Sequence, residues 1–265
     1  MIELLKQQIS GDKREEDKIN RGREFLQILA LKIMHDKGFF KNLAFVGGTA
    51  LRFLFDLRRF SEDLDFSLVN KKDYNFSNIN SQLEHEFRLY GFNIETKPKE
   101  EKTVQNTLLK FRGLLKELGL SELTDQKLSI KIEVDSNPPK GWNLQTTLIN
   151  KVYMVNLTHF DTGSLYAGKL SACFLRKYTK GRDFYDLIWY LSKHVKPNYL
   201  MLNNAIMQTQ GFNPNINDNN FNSFLLKKLE TIDFNAVKKD VERFLEDRNE
   251  LELLELKNIK GLLRN

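Results

Sequence analysis

Leu43-Ala44-Phe45-Val46-Gly47-Gly48-Thr49-Ala50-Leu51-Arg52, followed by Arg59-Phe60-Ser61-Glu62-Asp63-Leu64-Asp65-Phe66-Ser67-Leu68, is the stretch on which the fold turns. Leu43 to Val46 is a short apolar run, long enough for a buried strand. It stops at Gly47-Gly48, and Thr49 to Leu57 reads as a helix with Ala50, Leu51 and Leu54 available for packing. Two glycines let backbone approach a ligand closely, and a helix N-terminus presents free N–H groups to an anion. After a basic turn, Asp63 to Leu68 alternates strictly, as a half-buried strand does. Asp63 and Asp65 then share a face, about 6.5–7 Å apart along the chain, and Leu64, Phe66 and Leu68 turn to the core. Neighbouring carboxylates repel unless something positive lies between them, and a hard divalent cation such as Mg²⁺ takes such oxygen ligands. A D-x-D pair alone also fits a merely acidic strand face. Strand, Gly-Gly-Thr, helix, basic turn and D-x-D strand in this order make a compact phosphate-plus-metal arrangement.

A third acid is available downstream. Over Lys127 to Asp135, Leu128, Ile130, Ile132 and Val134 alternate with polar residues, so Lys131, Glu133 and Asp135 share the other face of a strand. Beside the D-x-D strand, Glu133 or Asp135 completes a carboxylate cluster, with Lys131 screening it or touching a phosphate. Elsewhere in a sheet the same residues form a cross-strand salt-bridge face.

The surrounding pattern is mixed at first and helical later. Lys18 to Lys37 reads as an amphipathic helix stopped by Gly38, and Ile79, Leu83, Phe87 and Tyr90 mark another closed by Gly91. Phe92 to Thr96 and Val152 to Leu157 read as strands, and Asn106 to Gly119 fits either period and leans to strand. Pro138-Pro139 breaks the third-acid strand. Asp161 or Thr162 caps a helix running to about Tyr178, and Asp183 to Lys193 is helical with Phe184, Leu187, Ile188 and Leu191 inward. From Pro197 only helices are signalled: Tyr199 to Met207, Phe221 to Thr231, Phe234 to Asp247 and Glu250 to Leu263, with a loop at Asn213 to Asn222. The expected architecture is α+β, a mixed sheet with flanking helices over residues 1–195, then a C-terminal helical bundle over 196–265.

Composition narrows the function classes. The 265 residues are 41% hydrophobic, enough for an ordinary core, which excludes a wholly disordered chain. The single cysteine, Cys173, excludes an intramolecular disulfide framework and a Cys-clustered zinc site. His35, His85, His159 and His194 are scattered without metal-ligand spacing. Met1 to Lys18 is charged throughout, without the apolar core of a signal peptide. Phe25 to Met34, interrupted by Gln27 and Lys32, falls far short of the roughly 20 apolar residues a membrane span needs. A cytoplasmic protein without a membrane partner is expected. A net charge of +6, from 41 basic and 35 acidic side chains, leans towards a polyanionic partner.

Phe45 to Arg52 with Arg59 to Phe66 resembles the AbiEii/AbiGii toxin family of minimal, DNA polymerase β-like nucleotidyltransferases, whose pattern is Gly-Gly-Thr-x-Leu, then Arg-x-Ser/Thr-x-Asp-x-Asp-Phe. Gly168-Lys169-Leu170-Ser171-Ala172, Arg176, and Arg182-Asp183-Phe184-Tyr185-Asp186-Leu187 resemble the family's second signature. The resemblance covers roughly Leu43 to Leu191 and implies a nucleotidyltransferase-fold sheet. It implies that Gly47, Gly48, Thr49, Arg52, Ser61 and Lys169 hold an NTP co-substrate, Arg52 and Arg59 supporting its phosphates or the carboxylates. Asp63 and Asp65 would bind Mg²⁺ or Mn²⁺ with Glu133, or Asp135, as third ligand. Lys169 and Asp183 would act at the catalytic centre beside Asp63 and Asp65, with Asp186 orienting its neighbours. The activity implied is metal-dependent transfer of NMP to an acceptor hydroxyl, RNA (the tRNA 3′ end) foremost, by the toxin of a toxin–antitoxin pair whose partner is a winged-helix antitoxin. A small-molecule or protein hydroxyl as acceptor, and a non-catalytic nucleotide- or RNA-binding protein, are the alternatives. Lys177, Lys180, Arg182, Lys227, Lys228, Lys238, Lys239 and Arg243 are the candidate RNA contacts.

Overall fold

The computed structural model describes residues 1–12, 14–100, 102–123, 125–176 and 178–263; Lys177 lies outside them. The chain opens with α1 (Ile2–Ile9) and α2 (Glu15–Asp36), then β1 (Leu43–Val46) and α3 (Gly47–Phe55). Next come β2 (Asp63–Leu68), α4 (Phe76–Leu89), β3 (Ile94–Glu95), β4 (Pro98–Lys99), β5 (Val104–Phe111) and the single-turn α5 (Leu114–Glu117). Three strands follow, β6 (Leu128–Asp135), β7 (Leu144–Asn150) and β8 (Met154–Phe160). The rest is helical: α6 (Thr162–Leu175), α7 (Gly181–Ser192), α8 (Tyr199–Gln210), α9 (Phe221–Leu229), α10 (Phe234–Val241) and α11 (Leu256–Leu262).

Alternation along the strands builds one eight-stranded mixed sheet, ordered β3-β5-β6-β2-β1-β8-β7, with β4 paired to β5. β1 runs antiparallel to β2, and β2 runs parallel to β6. The buried set of each central strand falls on one side: Leu43 and Phe45 of β1, Leu64, Phe66 and Leu68 of β2, and Ile130, Ile132 and Val134 of β6. They share a core with Phe25, Leu26 and Leu29 of α2 and with Leu83 and Phe87 of α4. The Phe45 and Phe66 rings lie 5.4 Å apart across the strand pair. Burying this side leaves the intervening residues, Asp63, Asp65, Lys131 and Glu133, on the opposite face. The expected α+β architecture with a mixed sheet is the one observed.

The chain divides into two compact units, neither of which breaks near residue 195. One unit is Met1–Phe55, Phe60–Asn137 and Thr146–His159; the other is Asp56–Arg59, Pro138–Gln145 and Phe160–Asn265. α6 and α7 group with the C-terminal helices because they share rings and backbone contacts with them. Phe184 of α7 meets Phe234 at 6.3 Å, Tyr166 of α6 meets Phe221 at 6.1 Å, and a Cβ on Gly181 would lie 2.1 Å from the Val237 carbonyl oxygen. Three local expectations change. Asn106 to Gly119 is strand only to Phe111, then turns at Gly113 (φ 70°) into α5. Phe234 to Asp247 stops as α-helix at Val241, and Glu250 to Leu263 is a 3-10 segment over Arg248–Leu253 followed by α11. Among the described residues, no helix is long and apolar enough to cross a membrane.

Candidate active site

In the sheet-bearing unit, strand register decides which acids meet. Asp65 lies between Val46 of β1 and Glu133 of β6, Asp63 lies opposite Lys131, and Ser67 opposite Asp135. Adjacent strands are about 4.8 Å apart, so Asp65 and Glu133 are immediate neighbours. Asp135 lies one pair further along, and its Oδ1 accepts from the Asn137 N–H at 2.9 Å, closing its own turn. Burial raises the Asp135 carboxyl above its usual value. Of the two candidates for third acid, the register sets Glu133 beside the D-x-D pair. Lys131 Nζ donates to Glu133 Oε1 at 2.6 Å.

Gly47 ends β1 with φ +80°, and a Cβ there would lie 2.2 Å from Asp65 Oδ2. The carboxylate thus rests against bare backbone, at the start of α3, which only glycine permits. Among the described residues, no three His, Cys, Asp or Glu side chains are gathered closely enough to hold a metal ion. The donor set still fits a hard cation: it is all carboxylate oxygen, one member sits in the Gly47 cradle, and an ammonium already pairs with another.

The other nucleotide-site candidates are spent inside this unit. Thr49 is fully buried, and its hydroxyl donates to the Asp63 main-chain carbonyl, tying α3 to β2. Arg52 donates from Nε to Glu24 of α2 and lies 4.7 Å over the Phe60 ring. Ser61 is buried, and its carbonyl accepts from Gln27 Nε2 at 3.1 Å. These are contacts that Thr49, Arg52 and Ser61, the expected triphosphate contacts, make in this structure. In this arrangement they fasten the segment from Phe60 to Asp63. Sequence reading missed Glu24 and Gln27, which lie two turns into an otherwise ordinary amphipathic helix.

The second signature forms a separate centre within the helical unit. Lys169 of α6 is buried, with Nζ 2.6 Å from Asp183 Oδ1 and 2.7 Å from Asp186 Oδ2 of α7. Arg59, 2% exposed, grips Asp186 with two hydrogen bonds, Nε to Oδ1 and Nη2 to Oδ2, each 2.6 Å. Arg176 reaches Asp183 Oδ2 at 3.0 Å. Burial opposes the charge on Lys169, and the Asp183 and Asp186 carboxylates more than offset it, so its pKa lies above the ordinary lysine value. Burial likewise opposes ionisation of Asp183, but Lys169 and Arg176 prevail and hold it below the usual carboxylate range. The Cys173 thiol is buried, donates to the Asp183 carbonyl, and has its pKa pushed well up by burial. Asp186, expected as an orienting group, sits between Arg59 and Lys169. In this arrangement two carboxylates hold the ammonium of Lys169, the expected phosphate contact.

The candidate RNA contacts that are described belong to the helical unit. Arg182 and Arg243 both lie over the Phe244 ring, at 4.2 and 4.6 Å. Lys238 pairs with Glu255 at 3.1 Å.

Comparison with known proteins gives one decisive match. The family described as nucleotidyl transferase AbiEii toxin, type IV toxin–antitoxin system, matches residues 29–258. No curated protein matches the chain. Similar solved structures include JHP933 from Helicobacter pylori, 17% identical with a TM-score of 0.48, covering 91% of this chain and 94% of its own. A second H. pylori chain, provisionally named a nucleotidyltransferase, is 16% identical with a TM-score of 0.46, covering 90% of this chain and 96% of its own.

Proposed function

Because the chain belongs to the AbiEii family of nucleotidyl transferase toxins, we propose that it transfers a nucleoside monophosphate from an NTP to a hydroxyl of RNA, the tRNA 3′ end foremost. The observation that carries the reading is the register that puts Asp65 between the Gly47 cradle and Glu133, with Asp63 two residues away on the same face. Asp63, Asp65 and Glu133 would hold Mg²⁺ or Mn²⁺, which when bound supplies charge neutralisation at the phosphoryl oxygens. The chain's own part is positioning. The Gly47 and Gly48 N–H groups at the start of α3 receive a phosphate, and the Thr49 hydroxyl, by holding the Asp63 carbonyl, fixes that helix start against the carboxylate strand. In the transfer an acceptor O–Pα bond forms, the Pα–O bond to pyrophosphate breaks, and the hydroxyl proton is lost to a base or solvent.

Lys169 and Asp183 enter the proposal through the second family signature. In the observed geometry they are spent on each other, so a part in transfer requires Lys169 to exchange a carboxylate for a phosphate oxygen. An RNA acceptor is supported by the excess of basic side chains. The type IV description of the family implies an antitoxin; a winged-helix protein encoded beside this chain is the proposed one, in the cytoplasm.

The test is incubation of the full chain with each labelled NTP, Mg²⁺ and total tRNA. Label on tRNA is the expected outcome, lost in Asp65→Ala with the melting temperature retained. Label on protein, or only on a small acceptor, refutes the RNA assignment, and full activity in Asp65→Ala refutes the carboxylate site.

A further inference from the structure

Of the residues that β2 and β6 set on the carboxylate face, Asp63, Asp65, Ser67, Lys131, Glu133 and Asp135, Lys131 alone is a cation. It lies in register with Asp63, and its Nζ is 2.6 Å from Glu133 Oε1, so it stands within the set of acids read above as cation ligands. We propose that Lys131 is an internal counter-ion of this cluster, which a divalent cation must displace from Glu133 before it can bind.

Three observations carry this. Residues i and i+2 of a strand share a face, so Lys131 cannot leave the neighbourhood of Glu133 while β6 is intact. No three acids are gathered to metal-binding distance among the described residues, and Glu133 is engaged by the Lys131 ammonium. Exposure makes the pair exchangeable. The side chains of Lys131 and Glu133 are 39% and 26% exposed, whereas Lys169 and Asp183 of the helical unit are 7% exposed each. The first pair is solvent-screened and weak; the second is enclosed. Once displaced, the ammonium stays on the same strand face, where a phosphate oxygen of an arriving nucleotide replaces Glu133 as its partner. The site therefore takes a cation more tightly in the company of a nucleoside triphosphate than alone.

The inference rests on the reading of Asp63, Asp65 and Glu133 as a cation site, and its test separates the two. Mn²⁺ is titrated into the full chain without nucleotide or acceptor, and free Mn²⁺ is read by electron paramagnetic resonance. Lys131→Met and Lys131→Gln each remove the competing charge, and one of them is expected to bind Mn²⁺ about tenfold more tightly than wild type, the scale of one partly screened charge acting on a divalent ion. Lys131→Arg keeps the charge and is expected to stay at wild-type affinity. Asp65→Asn is expected to abolish the binding in every background. If Asp65→Asn abolishes binding but neither neutral variant tightens it, the counter-ion role is overturned and the cation site stands. If Asp65→Asn leaves Mn²⁺ binding unchanged, the cation site itself is overturned, and this inference with it.

Discussion

Asp186→Asn should be the most damaging single-atom change in the helical unit. Asp186 is fully buried and accepts three charged hydrogen bonds, two from Arg59 at 2.6 Å each and one from Lys169 at 2.7 Å. The substitution keeps the volume and removes the charge. Arg59, 2% exposed, then exchanges its bidentate carboxylate for a neutral amide, and of the two carboxylates Lys169 keeps Asp183. Breaking a buried ion pair from one side typically costs about 3–5 kcal/mol, because the remaining charge is neither solvated nor paired. At about 2–4 °C per kcal/mol for a chain of this size, the melting temperature should fall by roughly 10 °C. Urea and thermal unfolding followed by circular dichroism would read it. Arg176→Met is the control: Arg176 is 49% exposed, so its bond to Asp183 is screened and should be worth under about 1 kcal/mol. Lys169→Met with Asp186→Asn should lose less than the sum of the single losses, because the second change removes a charge the first left unpaired. A loss below about 1 kcal/mol for Asp186→Asn, or strict additivity in the double variant, would refute the closed-network account.

The remaining predictions concern the sheet-bearing unit and pH. Gly47→Ala places a Cβ 2.2 Å from Asp65 Oδ2 at φ +80°, so transfer should fall by at least tenfold and stability by about 1–3 kcal/mol; wild-type activity would show that the cradle is not needed. Thr49→Val deprives the Asp63 carbonyl of its hydroxyl donor, and should cost about 1–2 kcal/mol in urea unfolding. For pH, Asp183 is held below its ordinary 3.8 and Lys169 above its ordinary 10.5. The Asp183 contribution to stability is present above pH 3.8 and lost as pH falls through the folded value; the Lys169 contribution is complete below pH 10.5 and lost as pH rises through its folded value. Unfolding midpoints in Asp186→Asn and wild type should therefore differ by a constant amount from about pH 5 to 9.

Much of the sheet was legible because its strands are half buried. Strict alternation placed β2 at Asp63–Leu68 and, from Lys127 to Asp135, set β6 to within one residue, and it sorted acids from core. β7 was not legible: Leu144-Gln-Thr-Thr-Leu-Ile-Asn150 is an edge strand with most residues exposed, so no burial pattern marks it. The expected boundary near 195 rests on composition, not packing. Composition changes where strands end and helices continue, but compact units follow packing, and α6 and α7 pack with later helices that no local pattern names. The choice between Glu133 and Asp135 needed register, which two strands more than sixty residues apart do not disclose separately.

The two signatures are alike in sequence, each a run of acids with nearby basic residues, and they differ in what the fold does with the charge. Asp183 and Asp186 are enclosed with Lys169 and Arg59, and the half-exposed Arg176 reaches Asp183, so each carboxylate has at least two cationic partners. Solvent exchange there is blocked, and opening the centre costs an unpaired buried charge. Glu133 has a single ammonium partner at hydrogen-bond distance among the charged groups of its strand face, and both members of that pair keep a quarter or more of their surface in water. A ligand exchanging partners at the sheet face therefore replaces a weak contact, and one doing so at Lys169 must break a strong one. The sheet-face pair is therefore the more readily exchanged, and the enclosed centre opens only if something of comparable charge compensates Lys169. On this argument, Lys169→Arg should keep the melting temperature within a few degrees yet lower transfer, whereas Lys131→Arg should change neither. Equal loss of stability and activity in Lys169→Arg would instead make the centre purely architectural.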